Sequence, residues 1–346
     1  MINTSSNAVV AKAKAMYGKR LRKSDYQALL SKKTIPEIAT YLKTQTYFSD
    51  CLKDINEGQI HRGRLEMLIR QDLYERYSKL IRYVNSDDEK GFYHYGVLGV
   101  EVQQILLCAR MIKNNDNVQM IAKLPLYFGK NVAFDVNEIA NVRTLADLLE
   151  VLRPTSYYEI VNPYLSVAID RFDYTGLETA LRTNYYQEVL KIVNDNKNVK
   201  NPKEINKIFD VRIELENITK IYRMKKYFHT TPEQIKEVIT PIFSNISRHD
   251  LMKMIDEMDA QLFLEALSHG PYGKYINPNN FLFMEYHTKI ITTNMFKRNI
   301  EFALDANMIL LCYIELSETE IQNIVDIIEG VRYQVPVDRI NGLLII

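Results

Sequence analysis

One pattern occurs twice in this chain with its internal spacing unchanged. Thr34, Ile35, Glu37, Ile38, Leu42, Lys43, Tyr47 and Phe48 return, each 110 positions later, as Thr144, Leu145, Asp147, Leu148, Leu152, Arg153, Tyr157 and Tyr158. A looser third copy runs through Asp250, Leu251, Met254, Met258, Leu262 and Phe263. A parallel echo joins Glu101, Ile105, Arg110, Met111 and Lys113 to Glu214, Ile218, Arg223, Met224 and Lys226. The tetrapeptide Ile105-Leu106-Leu107-Cys108 recurs as Ile309-Leu310-Leu311-Cys312. The period is far longer than the roughly 30–50 residues of a solenoid repeat. It implies three helical units, residues 1–118, 119–229 and 230–346 of the 346, and a pseudo-threefold architecture. Units repeated in this way build a shape more readily than they build a catalytic pocket.

The local text is helical. Gly and Pro are few, 12 and 10, and Leu, Ile, Lys and Glu are many, which favours helix. Residues 8–30 are Ala-rich with interleaved Lys. Thr34, Pro36 and Glu37 form a helix start of capping-box type. Leu65, Leu68, Ile69, Leu73, Tyr77, Leu80 and Ile81 mark one face of a helix over 59–83. A polar break is expected over 85–90, where Asp87, Asp88 and Glu89 read as a solvated turn, and a second strong helix over 97–113. Residues 123–140 read as an irregular surface stretch overlapping the start of a helix over 136–152. Further helices are expected over 164–172, 175–193, 203–228, 232–243, 248–266, 279–304, 317–330 and 337–344. No stretch alternates as a strand would, so the fold class is all-α.

Composition narrows the function. Hydrophobic residues make up 47% of the chain, ample for real cores. The net charge of +1 offers no basic excess for nucleic acid. One local exception is Lys12, Lys14, Lys19, Arg20, Arg22 and Lys23. These read either as a solvated helix face or as a contact for anionic lipid headgroups or an acidic partner. Three cysteines cannot pair fully, which suits a reducing cytoplasm. The N-terminus lacks a signal-peptide core, and the longest apolar run, 308–314, is too short to span a bilayer.

The motifs of chemistry are missing. No phosphate-binding loop, dinucleotide fingerprint or nucleophile elbow occurs. The histidines His61, His94, His229, His249, His269 and His287 show no metal-ligand spacing. No catalytic, cofactor or metal residue is expected, nor a small-molecule substrate. The 23 tyrosines read as amphipathic packing rather than a base-stacking platform. What remains are the repeated charges. Arg110 and Arg223, with Lys113 and Lys226, hold equivalent places on long helices, as do Glu101 and Glu214. They read either as internal ion pairs within each unit or as cations that line one surface and contact a partner.

The stretch from Glu214 through Asn217-Ile218-Thr219-Lys220-Ile221-Tyr222-Arg223-Met224-Lys225-Lys226 resembles the "E-x-x-N-I-x-x-I-x-R-x-K" helix of the V/A-type rotary ATPase C-subunit family, whose eukaryotic V-ATPase member is the d-subunit. Glu320 to Ile324 repeats the "E-x-x-N-I" theme. Gly330 and Tyr333 to Ile340 are similar to the family's closing segment, and Ala11 to Met16 to its Ala-rich opening helix. The resemblance implies a non-catalytic central-stalk subunit with three similar helical domains in a pseudo-threefold funnel. It implies one copy per complex, on the cytoplasmic face of the membrane as a peripheral component. Its partners would be the central axle subunits and the membrane proteolipid rotor ring, whose rotation it would couple during ATP-driven ion transport or ATP synthesis. Arg110, Lys113, Arg223 and Lys226 would then belong to the axle socket. The alternative is a helical interaction scaffold unrelated to rotary ATPases.

Overall fold

The computed structural model describes residues 4–81, 87–115, 132–195, 199 and 201–346. It is all-α, with no strand among these residues. In chain order the helices are α1 (Thr4–Gly18), α2 (Lys23–Leu30), α3 (Ile35–Gln45), α4 (Arg62–Ile81), α5 (Asp87–Lys113), α6 (Val136–Asn141), α7 (Leu145–Leu152) and α8 (Tyr158–Leu165). They continue with α9 (Tyr174–Asp195), α10 (Pro202–Arg223), α11 (Pro232–Val238), α12 (Arg248–Glu257), α13 (Ala260–His269), α14 (Met284–Phe302), α15 (Ala306–Arg332) and α16 (Val337–Leu343). The chain forms two compact units. Unit one comprises residues 1–90 and 293–346, and unit two residues 91–292.

The repeated pattern marks equivalent helices, each with a side-chain cap that satisfies an otherwise unpaired amide. Thr34 accepts from the Glu37 amide at the start of α3, and Thr144 from the Asp147 amide at the start of α7. Ser247 does the same for Asp250 at the start of α12. The apolar positions one turn on are sealed. Ile38 and Leu42 of α3, Leu148 and Leu152 of α7, and Leu251 and Ile255 of α12 are all fully buried.

In unit one, α3 packs into a core with Leu29, Phe48, Leu65, Ile69 and Leu73, together with Ile321, Ile324, Ile327 and Ile328 from α15. The apolar run 308–314 lies inside α15 and is buried on every face, as expected of a helix that is hydrophobic all round. Helices α1 and α4 pack along α15. In unit two, α7 packs with Val102, Ile105 and Leu106 of α5 and with Val161, Leu177 and Leu181 of α8 and α9. Thus α7 meets Ile105 as α3 meets Ile324.

Several helix bounds differ from those read in the sequence. Residues 87–90 of the expected polar break belong to helix α5, and residues 85 and 86 lie outside the described residues. The helix expected over 136–152 is two: Val142 is extended and Thr144 opens a new capping box. The one expected over 248–266 breaks at Met258, and Asp259 caps α13 through the amides of Gln261 and Leu262, at 2.9 and 2.8 Å. Helix α15 starts at Ala306 rather than 317, with Asp305 accepting from the amides of Asn307 and Met308. In place of a helix over 164–172, α8 ends at Leu165 and a single 3₁₀ turn covers Ile169–Arg171. The irregular stretch expected over 123–140 lies, as far as residue 131, outside the described residues.

Helices α15 and α16 meet at Gly330. A methyl group there would stand 2.3 Å from Ile340 Cδ1 and 2.6 Å from Cγ1, and Ile340 is buried. Ala is favoured over Gly in a helix by about 1 kcal/mol, but overpacking costs about 1–3 kcal/mol, so the clash prevails. Gly330→Ala is expected to lower stability in urea titration. In an Ile340→Ala background the same change should become neutral or stabilising, by up to about 1 kcal/mol.

Candidate partner-binding site

Three glutamates on three long helices are buried: Glu101 of α5, Glu214 of α10 and Glu320 of α15. A carboxylate out of water is tolerated only when donors surround it, and each of these meets the same set. Tyr157 donates its hydroxyl to Glu101 at 2.7 Å, and Tyr272 donates to Glu214 at 2.6 Å. Tyr47 donates to Glu320. Backbone amides complete the sets. Ala133 donates to Glu101 at 2.6 Å, and Leu21 to Glu320 at 2.7 Å. Ser244, Asn245 and Ile246 donate to Glu214 at 2.7, 3.1 and 3.0 Å. The donating loop precedes the repeated helix and the tyrosine follows it, so each glutamate fixes both ends of one copy. Burial pushes the Glu320 carboxyl above its ordinary range, against the lowering effect of the Tyr47 hydroxyl and the Leu21 amide.

Three residues beyond two of these glutamates stands an asparagine that locks a further loop. Asn217 donates to the Thr240 carbonyl at 2.7 Å and accepts from its amide at 3.0 Å. Asn323 makes the same paired contact with Ile345, 2.9 Å each way. The "E-x-x-N" theme is therefore a fastening for two loops at once.

The glutamates therefore do not pair with the arginines of the echo. Arg110 and Lys113 occupy the last turn of α5, and Arg223 ends α10. Cations suit these helix ends, where carbonyls are unpaired. All four cations, Lys226 included, are exposed. Arg223 lies 3.2 Å from Glu285, a half-exposed pair worth little on its own. Lys113 Nζ stands 5.8 Å from the centre of the Phe172 ring, within cation–π range.

The end of α10 has a feature of its own. Met224–Phe228 form a π-helical turn, closed by His229 in the left-handed region at φ 48°. Such turns are rare and concentrate at functional positions. Lys225 pins the turn by donating to the carbonyls of Ile255 and Met258, at 2.7 and 2.5 Å. This leaves Lys226, Tyr227 and Phe228 outward, the two aromatics 62% and 67% exposed. Arg with exposed Tyr and Phe is the composition of protein interfaces.

The buried carboxylates are saturated by donors. Burial pushes the Cys51 and Cys108 thiols up to about 12 and raises Cys312 also, which leaves them inert. Among the described residues no cluster of His, Cys, Asp and Glu is placed to hold a metal. The echo Glu101/Glu214 and the theme at Glu320 were visible in the sequence. Tyr272 was not, because α13 intervenes between the third repeated helix and its tyrosine.

Residues 9–343 match the ATP synthase (C/AC39) subunit family. The C-subunit of the A-type ATP synthase of Methanosarcina mazei is 23% identical over 272 residues, covering 78% of this chain and 68% of the relative. That of Desulfurococcus sp. is 23% identical over 267 residues, covering 77% and 68%.

Removing a glutamate leaves several buried donors without a partner. Glu214→Ala, which orphans three amides and a hydroxyl, should cost about 3–5 kcal/mol in urea unfolding. Glu101→Ala orphans one amide and one hydroxyl and should cost less. Tyr272→Phe leaves Glu214 its amides and should cost about 1–2 kcal/mol. A different rank order would show that the carboxylates are not the fastenings.

Proposed function

The chain belongs to the ATP synthase (C/AC39) subunit family, and from that premise we propose that it is a non-catalytic central-stalk subunit of a V/A-type rotary ATPase. In this role it couples the central axle subunits to the membrane proteolipid ring during ATP-driven ion transport or ATP synthesis. It is present as one copy per complex, as a peripheral component on the cytoplasmic face. The three helical units, 1–118, 119–229 and 230–346, form a funnel about a pseudo-threefold axis. The observation that supports this most directly is the family match over nearly the whole chain. The buried carboxylates serve as fastenings, which a stiff coupler needs, and no helix among the described residues is long and apolar enough to cross a membrane.

A torque coupler must be stiff inside and adhesive outside. Stiffness comes from long helices whose loops are tied down at each glutamate. Adhesion requires exposed groups on a fixed base. Arg110, Lys113, Arg223 and Lys226 are such groups, and we assign them to the axle socket. The π-turn pinned by Lys225 holds two of them beside Tyr227 and Phe228. A reversible socket of this kind mixes charge with apolar area.

Gentle detergent extraction of membranes carrying a tagged copy, followed by affinity capture and mass spectrometry, tests the role. Recovery of a proteolipid ring and nucleotide-binding subunits with ATPase activity is expected, and capture without them would overturn it. Arg110→Glu with Arg223→Glu should leave the fold intact and cost only about 1–2 kcal/mol in stability, because both side chains are exposed and contribute only helix-end and surface ion-pair terms. The pair should weaken binding of the axle subunits about tenfold or more, most at low salt. Unchanged binding would return these cations to a helix-end role.

A further inference from the structure

Unit one holds a cavity of about 470 Å³ beside the Glu320 fastening, a size typical of small-ligand sites. Two groups on α14 line it from one face, Thr293 and, a turn later, Lys297. Thr293 is 3% exposed, and its hydroxyl finds no hydrogen-bond partner among the described residues. A buried hydroxyl normally has one. Lys297 is half-buried and forms no salt bridge among the described residues. Burial and the Arg20 guanidinium both disfavour its charge, so an anion placed here would relieve it.

Arg20, Arg22 and Lys23 line the same cavity from the turn between α1 and α2, and are exposed. None of the three is in a salt bridge among the described residues. Arg20 stacks on the Tyr17 ring at 4.2 Å and donates to the Tyr17 carbonyl, with other guanidinium N–H groups left over. Arg76 also borders the cavity but is committed to Asp72 at 2.8 Å and to the hydroxyls of Tyr47 and Tyr313. The side-chain carboxylates that face the space are Glu301, exposed, and Glu320, already engaged by Tyr47 and Leu21; Ile346, the last residue of the sequence, lines it too. Four cations that form no salt bridge among the described residues thus face two side-chain carboxylates around one unpaired hydroxyl. The basic cluster near the N-terminus, which the central-stalk role does not use, supplies three of them.

We propose that this cavity binds a phosphate-bearing anion, with Thr293 and Lys297 at its floor and Arg20, Arg22 and Lys23 at its mouth. Hydroxyl, ammonium and guanidinium donors are the groups that hold phosphate oxygens. The phosphate can come from a free phosphate compound or from the headgroup of a phospholipid, and the chemistry at the protein is the same. The site lies wholly within unit one, so the isolated chain suffices to test it, whatever assembly the chain joins.

The purified full chain is titrated with sodium pyrophosphate by calorimetry. It is also sedimented with vesicles of phosphatidylcholine, with and without phosphatidic acid. Binding of at least one probe is expected, weakening as salt is raised. Pyrophosphate binding alone identifies a free phosphate ligand, and retention on phosphatidic acid vesicles alone identifies a headgroup. Lys297→Met should weaken the binding about tenfold or more. Arg20→Gln, on the exposed rim where folding is not at stake, should weaken it severalfold, and Lys253→Ala, an exposed residue of α12 in unit two, should leave it unchanged. The proposal is overturned if neither probe binds, or if Arg20→Gln and a folded Lys297→Met bind as the parent does.

Discussion

The structure depends on burying three carboxylates and surrounding each with donors. Burial alone would drive such a group to neutrality or expel it. Here a tyrosine hydroxyl and one to three backbone amides replace the lost water. The exchange works in both directions, because the carboxylates satisfy loop amides at the edge of the core. Glutamate suits the task. Its side chain reaches past the helix surface, and its two oxygens can accept from a loop and a tyrosine at once. An amide at the same place would bring its own donors against theirs.

This arrangement explains how a chain with few glycines and many short loops holds its helices in register. Each copy of the repeated pattern is short, eight to eleven residues in α3, α7 and α12. Helices of that length are marginal alone. Each is secured by a side-chain cap at its start, two sealed apolar positions on its inner face, and a glutamate that grips the chain on either side. The glutamate lies on another helix, far away in sequence. Glu320 secures the copy that ends at Tyr47, so residues from both ends of the chain share the core of unit one.

Charge is divided accordingly. The carboxylates of the fastenings are inside, and the cations of the echo are outside at helix ends. That division leaves the surface free to carry partner contacts without disturbing the core. The π-turn after α10 shows how the two meet, since Lys225 turns inward to two carbonyls while its neighbours Lys226 and Tyr227 face outward.

The sequence alone determined the all-α class, the repeated pattern with its cap at Thr34, and the equivalence of Glu101 with Glu214. Capping and amphipathic period are local properties, readable within a few residues at Thr34. The breaks at Val142 and Met258 were harder, because apolar residues continue across them and only the caps at Thr144 and Asp259 decide where one helix ends. The sequence left open whether Arg110, Lys113, Arg223 and Lys226 pair internally or face a partner, and the partners of the glutamates did not follow from it. Spacing along the chain suggested arginine, whereas the fold brought tyrosines and loop amides from 30 or more residues away. Tertiary structure alone decided those partners, and with them the gathering of Arg20, Lys297 and Thr293 around one cavity, because burial and hydrogen-bond geometry exist only once distant segments have met.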